Sequence, residues 1–343
     1  MITRILKYIA LVLSIFLWLE AYSPIVYREV TKAGIVPDDY RHGDLYRLSY
    51  LSAFKENRQP CATALPDSSR KKPIHLYIIG DSFTEPERVK AHDLKAEKYT
   101  YVHWTRTEQI QLDTTKTNIL VVETVERTLK DHFAKPASNL ILDSQNKQAS
   151  SFSHPSWKRL IYHKTEEILA FVFPKMTEER LEHTLFNYDF FLWFRELKAD
   201  FNLCYFDRTE PKVVISQNKK ALFYFEEADA SKITSAFYPV TNQEIDTFVA
   251  SINQTEENYK NLGFDAVYVS LIPNKVSILD PTLGRYNHLI ERIQTHSALK
   301  TPFIDTYNVF KKNPEAYYLK SDTHWNCTGQ TFWLDQVNQH ILQ

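Results

Sequence analysis

Net charge is nearly absent from this sequence. Across 343 residues, 41 Lys and Arg stand against 42 Asp and Glu, a formal charge of -1, so there is no general electrostatic case for nucleic-acid binding. Cysteine is scarce too. The three residues Cys61, Cys204 and Cys327 are too few for a disulfide framework and have no metal-ligand spacing, so no metal or other cofactor is expected. A Cys61–Cys204 bridge is open in an oxidising compartment and would leave one thiol over. Tandem repeats and low-complexity tracts are missing as well, which excludes solenoids and arrays.

One long apolar run opens the chain, MITRILKYIALVLSIFLWLEAY. Arg4 and Lys7 lie at its basic end and Glu20 closes it. The run is short for a bilayer span and within the range of a signal-peptide core. No small-x-small cleavage site follows in LEAYS, which favours an uncleaved signal anchor over residues 1–25. Its basic end would lie in the cytoplasm and the main domain would face the periplasm or cell exterior, as a single-pass protein of the inner membrane. A cleaved signal and a core helix of a soluble domain are the alternatives. The 300 or so residues beyond the anchor suffice for one large domain, or a domain with an insertion.

The rest of the chain reads as α/β. Residues 26–72 form a juxtamembrane segment with Pro37, Pro60 and Pro66, a short helix around Leu45 to Lys55, and the run PDSSRKKP. The apolar stretch from Ile74 to Ile79 then reads as a buried strand, and Gly80-Asp81-Ser82 as a tight turn presenting a hydroxyl at that strand's carboxyl end, where ligands of open α/β sheets collect. A helix starting in EPERVKAHDLKAEK would leave the N–H groups of Ser82 and Phe83 directed into the same space. The same tripeptide also serves an ordinary strand-to-helix turn with a capping serine. YTYVHW (Tyr99 to Trp104) and NILVVETV (Asn118 to Val125) give further strands, the pattern of a parallel sheet covered on both faces. Glu123, Glu126 and Arg127 lie at or just past the end of the second. Arg127 is read as a support of the turn or a contact for an acidic sugar, with an ordinary ion pair as the alternative.

From about 131 to 220 the pattern changes to an insertion. LILDSQNKQASSFSHPSWKR is loop-like, Thr177 to Leu197 has a helical succession of apolar residues, and Lys212 to Ser216 pairs with Ala221 to Phe225 as a hairpin. A lid, one wall of a groove, or a purely structural cap would share this sequence. The α/β rhythm returns with a helix capped at Thr241 or Asn242 and ended at Gly263, then a strand from Ala266 to Ile272 stopped by Pro273-Asn274-Lys275. A helix from Tyr286 to Leu299 and a short edge strand over Pro302 to Thr306 follow.

Near the carboxyl end stands YLKSDTHWNCTG, before a final helix GQTFWLDQVNQHI. Asp322 and His324, two apart, fall on one side of an extended stretch. An imidazole can take a serine proton while a carboxylate on its other nitrogen fixes the tautomer. Ser82, His324 and Asp322 supply one residue for each role. Alone, D-x-H also suits a metal pair or a hydrogen-bonded turn. Trp325 is expected to pack by the histidine, and His75, His92 and His103 to have surface or packing roles.

Together YIIGDSF, VVETVER, LIPNK and YLKSDTHWNCTG resemble the SGNH-hydrolase-like domains of the alginate O-acetylation proteins AlgX and AlgJ and their DHHW-type relatives, over roughly 74–130 and 220–343. The resemblance implies an SGNH-hydrolase-like three-layer sandwich around a mostly parallel sheet, spanning 73–343 apart from the insertion. It implies that Ser82 accepts an acetyl group within a triad completed by Asp322 and His324. It also implies an extracytoplasmic polysaccharide as acceptor, an acetyl donor, and a membrane-bound O-acyltransferase as partner. In the alginate proteins D-x-H precedes GDS. Here the order is permuted, while the spacing stays shorter than the D-x-x-H of ordinary SGNH esterases. The glycine and asparagine blocks of those esterases find no clear counterpart, and Gly80 and Asn274 are the oxyanion or support candidates. A carbohydrate esterase or deacetylase, or a noncatalytic polysaccharide-binding scaffold, are the competing expectations.

Overall fold

The computed structural model describes residues 2–58, 61, 71–142 and 176–342. Pro60 and Pro66, most of the PDSSRKKP run and most of the loop-like stretch after residue 142 lie outside them. The described residues form two compact units, residues 2–58 with 176–209, and residues 61 and 71–142 with 210–342.

In the second unit the strands are β1 (Lys72–Gly80), β2 (Ala96–His103), β3 (Glu108–Ile110), β4 (Thr117–Val125), β5 (Leu140–Leu142), β6 (Val213–Ile215), β7 (Leu222–Tyr224), β8 (Ala266–Ile272) and β9 (Phe303–Ile304). Five of them build a sheet in the order β2-β1-β4-β8-β9, every pair parallel. The apolar runs of β1 and β4 are continuous rather than alternating because both faces are buried: Leu76 to Ile79 and Leu120 to Val122 are at most 1% exposed. The register aligns Tyr77, Leu120 and Val267. On that face Tyr77 meets Phe264, which meets Tyr259 of the helix Asn242–Asn261. On the other face Trp333, from the last helix Cys327–Leu342, donates its indole N–H to Ser270 Oγ at 2.9 Å. The unit is thus a mixed α/β domain with helices flanking a parallel sheet. β3 and β5 form a small parallel pair and β6 and β7 a hairpin.

Local chemistry accounts for the boundaries. Asn242–Asn261 starts with a reciprocal capping box, Thr241 and Glu244 each satisfying the other's backbone N–H. Two expected helices of this unit differ. Residues 81–95 are turns rather than a helix; the apolar residues buried there, Phe83, Val89 and Leu94, are too widely spaced for a helical stripe. The helix expected from Tyr286 covers only Leu289–Gln294. Its start is set by Asn287, whose Oδ1 accepts the Leu289 N–H.

The first unit is helical. Ile2–Tyr22 is one helix, exposed along most of its apolar length and fully buried only at Glu20 and Ala21. It is about 31 Å long at 1.5 Å per residue, long and apolar enough to cross a membrane. The helix Thr177–Phe186 packs on its end, Arg180 Nε donating to Ala21 O at 2.7 Å. The expected succession from Thr177 to Leu197 is two helices, not one, since Asn187 and Tyr188 break it before Asp189–Phe206. Asn187 donates its side-chain N–H to Pro37 O at 2.9 Å, fixing the break. Of the stretch read as an insertion, these two helices belong with the N-terminal segments, whereas β5, β6 and β7 belong with the sheet. Asp44–Ser49 and a 3₁₀ turn Ser52–Phe54 stand where the short juxtamembrane helix was expected.

Candidate active site

Parallel pairing of β1, β4 and β8 brings Ser82, Val125–Arg127 and Asn274 to the carboxyl end of one sheet. The D-x-H segment reaches the same end. Ser82 Oγ lies 2.9 Å from His324 Nε2, and His324 Nδ1 lies 2.6 Å from Asp322 Oδ1. With the Nδ1 proton directed at the carboxylate, Nε2 is the acceptor for the Ser82 hydroxyl. Asp322 Oδ1 also accepts the His324 backbone N–H at 2.9 Å, closing a small ring that orients the imidazole. Asp322 is 1% and His324 8% exposed, while Ser82 is half-buried. Such a chain can withdraw a proton from the serine as its oxygen attacks, and return it to a leaving group.

The turn that holds Ser82 is built on two buried carboxyl groups. Asp81 accepts the Phe83 N–H on one oxygen, 2.9 Å, and the Val125 N–H on the other, 3.1 Å. The Phe83 N–H is therefore consumed by the turn, contrary to the expectation that it stays unpaired. The Ser82 N–H makes no hydrogen bond among the described residues. Glu123 accepts the Asp81 N–H at 2.9 Å and the Thr84 hydroxyl at 2.8 Å. Burial, and then the neighbouring Asp81 charge, push its carboxyl well above the usual carboxylate range. A glutamate in the middle of the apolar run NILVVETV was the sequence signal for this support. Gly80 is required by close approach: a Cβ there would sit 2.1 Å from Thr84 Oγ1 and 2.9 Å from Glu123 Oε2.

Another buried carboxyl, Glu126, organises the neighbouring strand ends. It accepts the Asn274 N–H at 2.9 Å and the Ser277 hydroxyl at 2.6 Å on one oxygen, and the Tyr286 hydroxyl at 3.2 Å on the other. Burial outweighs these bonds and lifts its pKa to about 7. Asn274 Oδ1 accepts the Arg127 N–H at 3.1 Å. Its Nδ2 is buried with no hydrogen-bond partner among the described residues. An orphaned buried amide at this end of the sheet is a donor waiting for an acceptor.

Arg127 forms a 2.6 Å ion pair with buried Glu227 and lies over the Phe83 ring. Trp325 packs edge-on against Phe83, and Phe83 in turn meets the His324 ring at 4.7 Å. Lys275, 1% exposed, donates to the carbonyls of Lys320 at 2.9 Å and Asp322 at 3.1 Å. It clamps the segment that carries the Asp322 carboxylate, a role the LIPNK motif hinted at without naming. Of the other histidines, His75 bonds Thr100 and Tyr77, with its pKa lowered by burial to about 4, while His92 pairs with Asp93 and His103 with Thr105.

The cysteines pair differently from the open expectation. Cys61 is bridged to Cys327, and Cys204 is free and exposed. Position along the chain gave no guide, since β1 to β9 lie between the bridged residues. The bridge fixes the start of the final helix three residues after His324. A cavity of about 850 Å³ lined by Ile110, Lys116, Asn118 and Asp265 opens at the opposite end of the sheet and touches none of these residues. The chain matches no protein-family model, no curated protein and no solved structure.

Proposed function

We propose that this chain is a serine-dependent O-acyltransferase with an SGNH-hydrolase-like sandwich, related to the AlgX and AlgJ proteins, that moves an acetyl group through Ser82 to a hydroxyl of an extracytoplasmic polysaccharide. The observation that carries the reading is the continuous hydrogen-bonded chain Ser82–His324–Asp322 at the carboxyl end of the parallel sheet.

His324 Nε2 takes the Ser82 proton as Oγ bonds to the acetyl carbon of the donor. The oxyanion so formed meets the Ser82 N–H and the Asn274 side-chain N–H. Collapse breaks the bond to the donor's leaving group, which takes the proton from His324. A sugar hydroxyl then gives its proton to His324 and attacks the acetyl-serine ester, and Ser82 leaves with that proton. Asp322 holds the tautomer throughout and stabilises the imidazolium. The half-buried state of Ser82 favours a second reading, in which water replaces the sugar and the protein is an esterase.

The test supplies an activated acetyl ester with and without oligosaccharide acceptors. Wild type should consume the ester, and Ser82→Ala, His324→Gln and Asp322→Asn should each lose most of that turnover. Acetyl recovered on sugar supports transfer, free acetate alone supports hydrolysis, and undiminished turnover in Ser82→Ala rejects both.

A further inference from the structure

The helix Asp189–Phe206 is turned the wrong way round for a water-soluble protein. At about 100° per residue, Phe190, Trp193, Phe194, Leu197, Phe201 and Tyr205 fall within an arc of about 120°. All six are exposed, from 49% for Phe194 to 74% for Tyr205. Most of its charged residues lie outside that arc and are held by partners, while Lys198 is exposed beside it. Asp189 pairs with Arg41 at 2.7 Å, Glu196 with Lys55 at 2.8 Å, and Arg195 with Glu182 at 2.6 Å. Asp200 accepts the Ser52 hydroxyl at 2.6 Å. Leu192, between them, is 2% exposed. Among the described residues nothing covers the aromatic arc, which is far larger than the single exposed apolar side chains that need no explanation.

We propose that this arc is a membrane-docking surface, and that Asp189–Phe206 lies in the headgroup region of the bilayer crossed by Ile2–Tyr22. Continuity with that helix selects lipid as the occupant. Thr177–Phe186 grips the end of Ile2–Tyr22 through Arg180 to Ala21 and Thr184 to Glu20. That end is where the exposed apolar surface stops and Glu20 begins, the level of a membrane boundary. The aromatic helix starts three residues further on, within the same compact unit. Trp and Tyr are the side chains that settle at that depth. A helix lying in the interface, with Trp, Phe and Leu on its apolar face, sinks that face about 5–10 Å into the headgroup and acyl boundary. Ion pairs hold Arg195 and Glu196 away from the arc, and Lys198 at its edge can reach lipid headgroups with its stem along the apolar face. The proposal rests on the membrane anchor and is independent of the chemistry at Ser82.

Cys204 supplies the probe, because it is exposed, unbridged and within the same arc. The full chain is reconstituted in phosphatidylcholine–phosphatidylglycerol vesicles and spin-labelled at Cys204. A second sample, Ala10→Cys in a Cys204→Ser background, reports on the anchor. A lipid-docked arc makes the Cys204 label more accessible to oxygen than to a water-soluble nickel chelate, at a shallower depth than the label at position 10. A deep position 10 with a water-accessible Cys204 overturns the docking surface and leaves the anchor standing. Aqueous behaviour at both positions overturns both. Protection of Cys204 from oxygen and nickel alike also overturns the proposal, because the cover is then protein, whether residues 143–175 or a second copy. As a functional arm, Phe194→Gln with Phe201→Gln should raise the nickel accessibility of Cys204 severalfold with position 10 still deep; an unchanged profile contradicts lipid contact through this face.

Discussion

Replacing Glu126 by glutamine should change how stability depends on pH more than it changes stability itself. In the folded chain the Glu126 carboxyl is lifted by burial from an ordinary 4.5 to about 7, so between those values the folded protein holds a proton that the unfolded chain releases. A raised pKa contributes stability that is complete below 4.5 and is lost as pH climbs to about 7. At 1.36 kcal/mol per unit, the wild type should lose about 2.5 kcal/mol from this one group between pH 5 and pH 8. The amide of the Glu126→Gln variant cannot titrate. Its oxygen can still accept from Asn274 N–H and Ser277, and its N–H can be offered to the Tyr286 oxygen, so at pH 5 the variant should lie within about 1 kcal/mol of wild type. Urea unfolding of both proteins in mild detergent, at steps from pH 5 to pH 8, measures the difference directly. The variant should gain on wild type by roughly 2–3 kcal/mol across that range. A difference that stays flat, or that moves in favour of wild type as pH rises, would refute the protonated, buried state of Glu126.

Lys275→Met removes the donors that hold the Lys320 and Asp322 carbonyls. Charge-assisted bonds of about 1.5–3 kcal/mol translate into a fall of roughly 10- to 100-fold in kcat for an acetyl ester, with KM little changed, and an equal loss in KM would contradict a positioning role. Gly80→Ala drives a methyl onto Thr84 and Glu123 and should cost about 1–3 kcal/mol in urea unfolding; a neutral result would show that the turn can shift. Reduction of Cys61–Cys327 should lower the urea midpoint by the equivalent of about 2–5 kcal/mol, and Cys204→Ser should leave that effect intact.

Much of the sheet was legible because buried parallel strands leave unbroken apolar runs: Ile74 to Ile79, Asn118 to Val125 and Ala266 to Ile272 all coincide with strands. The helix from Asn242 was legible from a local signal of another kind, the cap formed by Thr241 and Glu244. Residues 81–95 misled because charged residues such as Glu85, Glu87, Arg88 and Lys90 suit a helix, whereas tertiary contacts of Phe83, Val89 and Leu94 decide the path. The pairing of Ser82 with the Asp322–His324 turn could be argued from residue chemistry. Of the supporting cast only Glu123 left a signal, a carboxyl inside a buried apolar run. Whether Glu126 and Lys275 face solvent or the interior depends on which strand ends meet, and a single sequence carries no record of that. The disulfide was illegible for a related reason, since three cysteines at unremarkable spacing allow three pairings and only the fold selects one.

The central claim, that Ser82 carries the acyl group, is tested most directly by mass spectrometry of the intact chain and its peptides after brief exposure to an activated acetyl ester. An adduct of one acetyl group on the peptide containing Ser82 is predicted, absent from Ser82→Ala and forming far more slowly in His324→Gln. An adduct that persists at the same level in Ser82→Ala, or a wild-type protein that never acquires one while its ester is consumed, would contradict it.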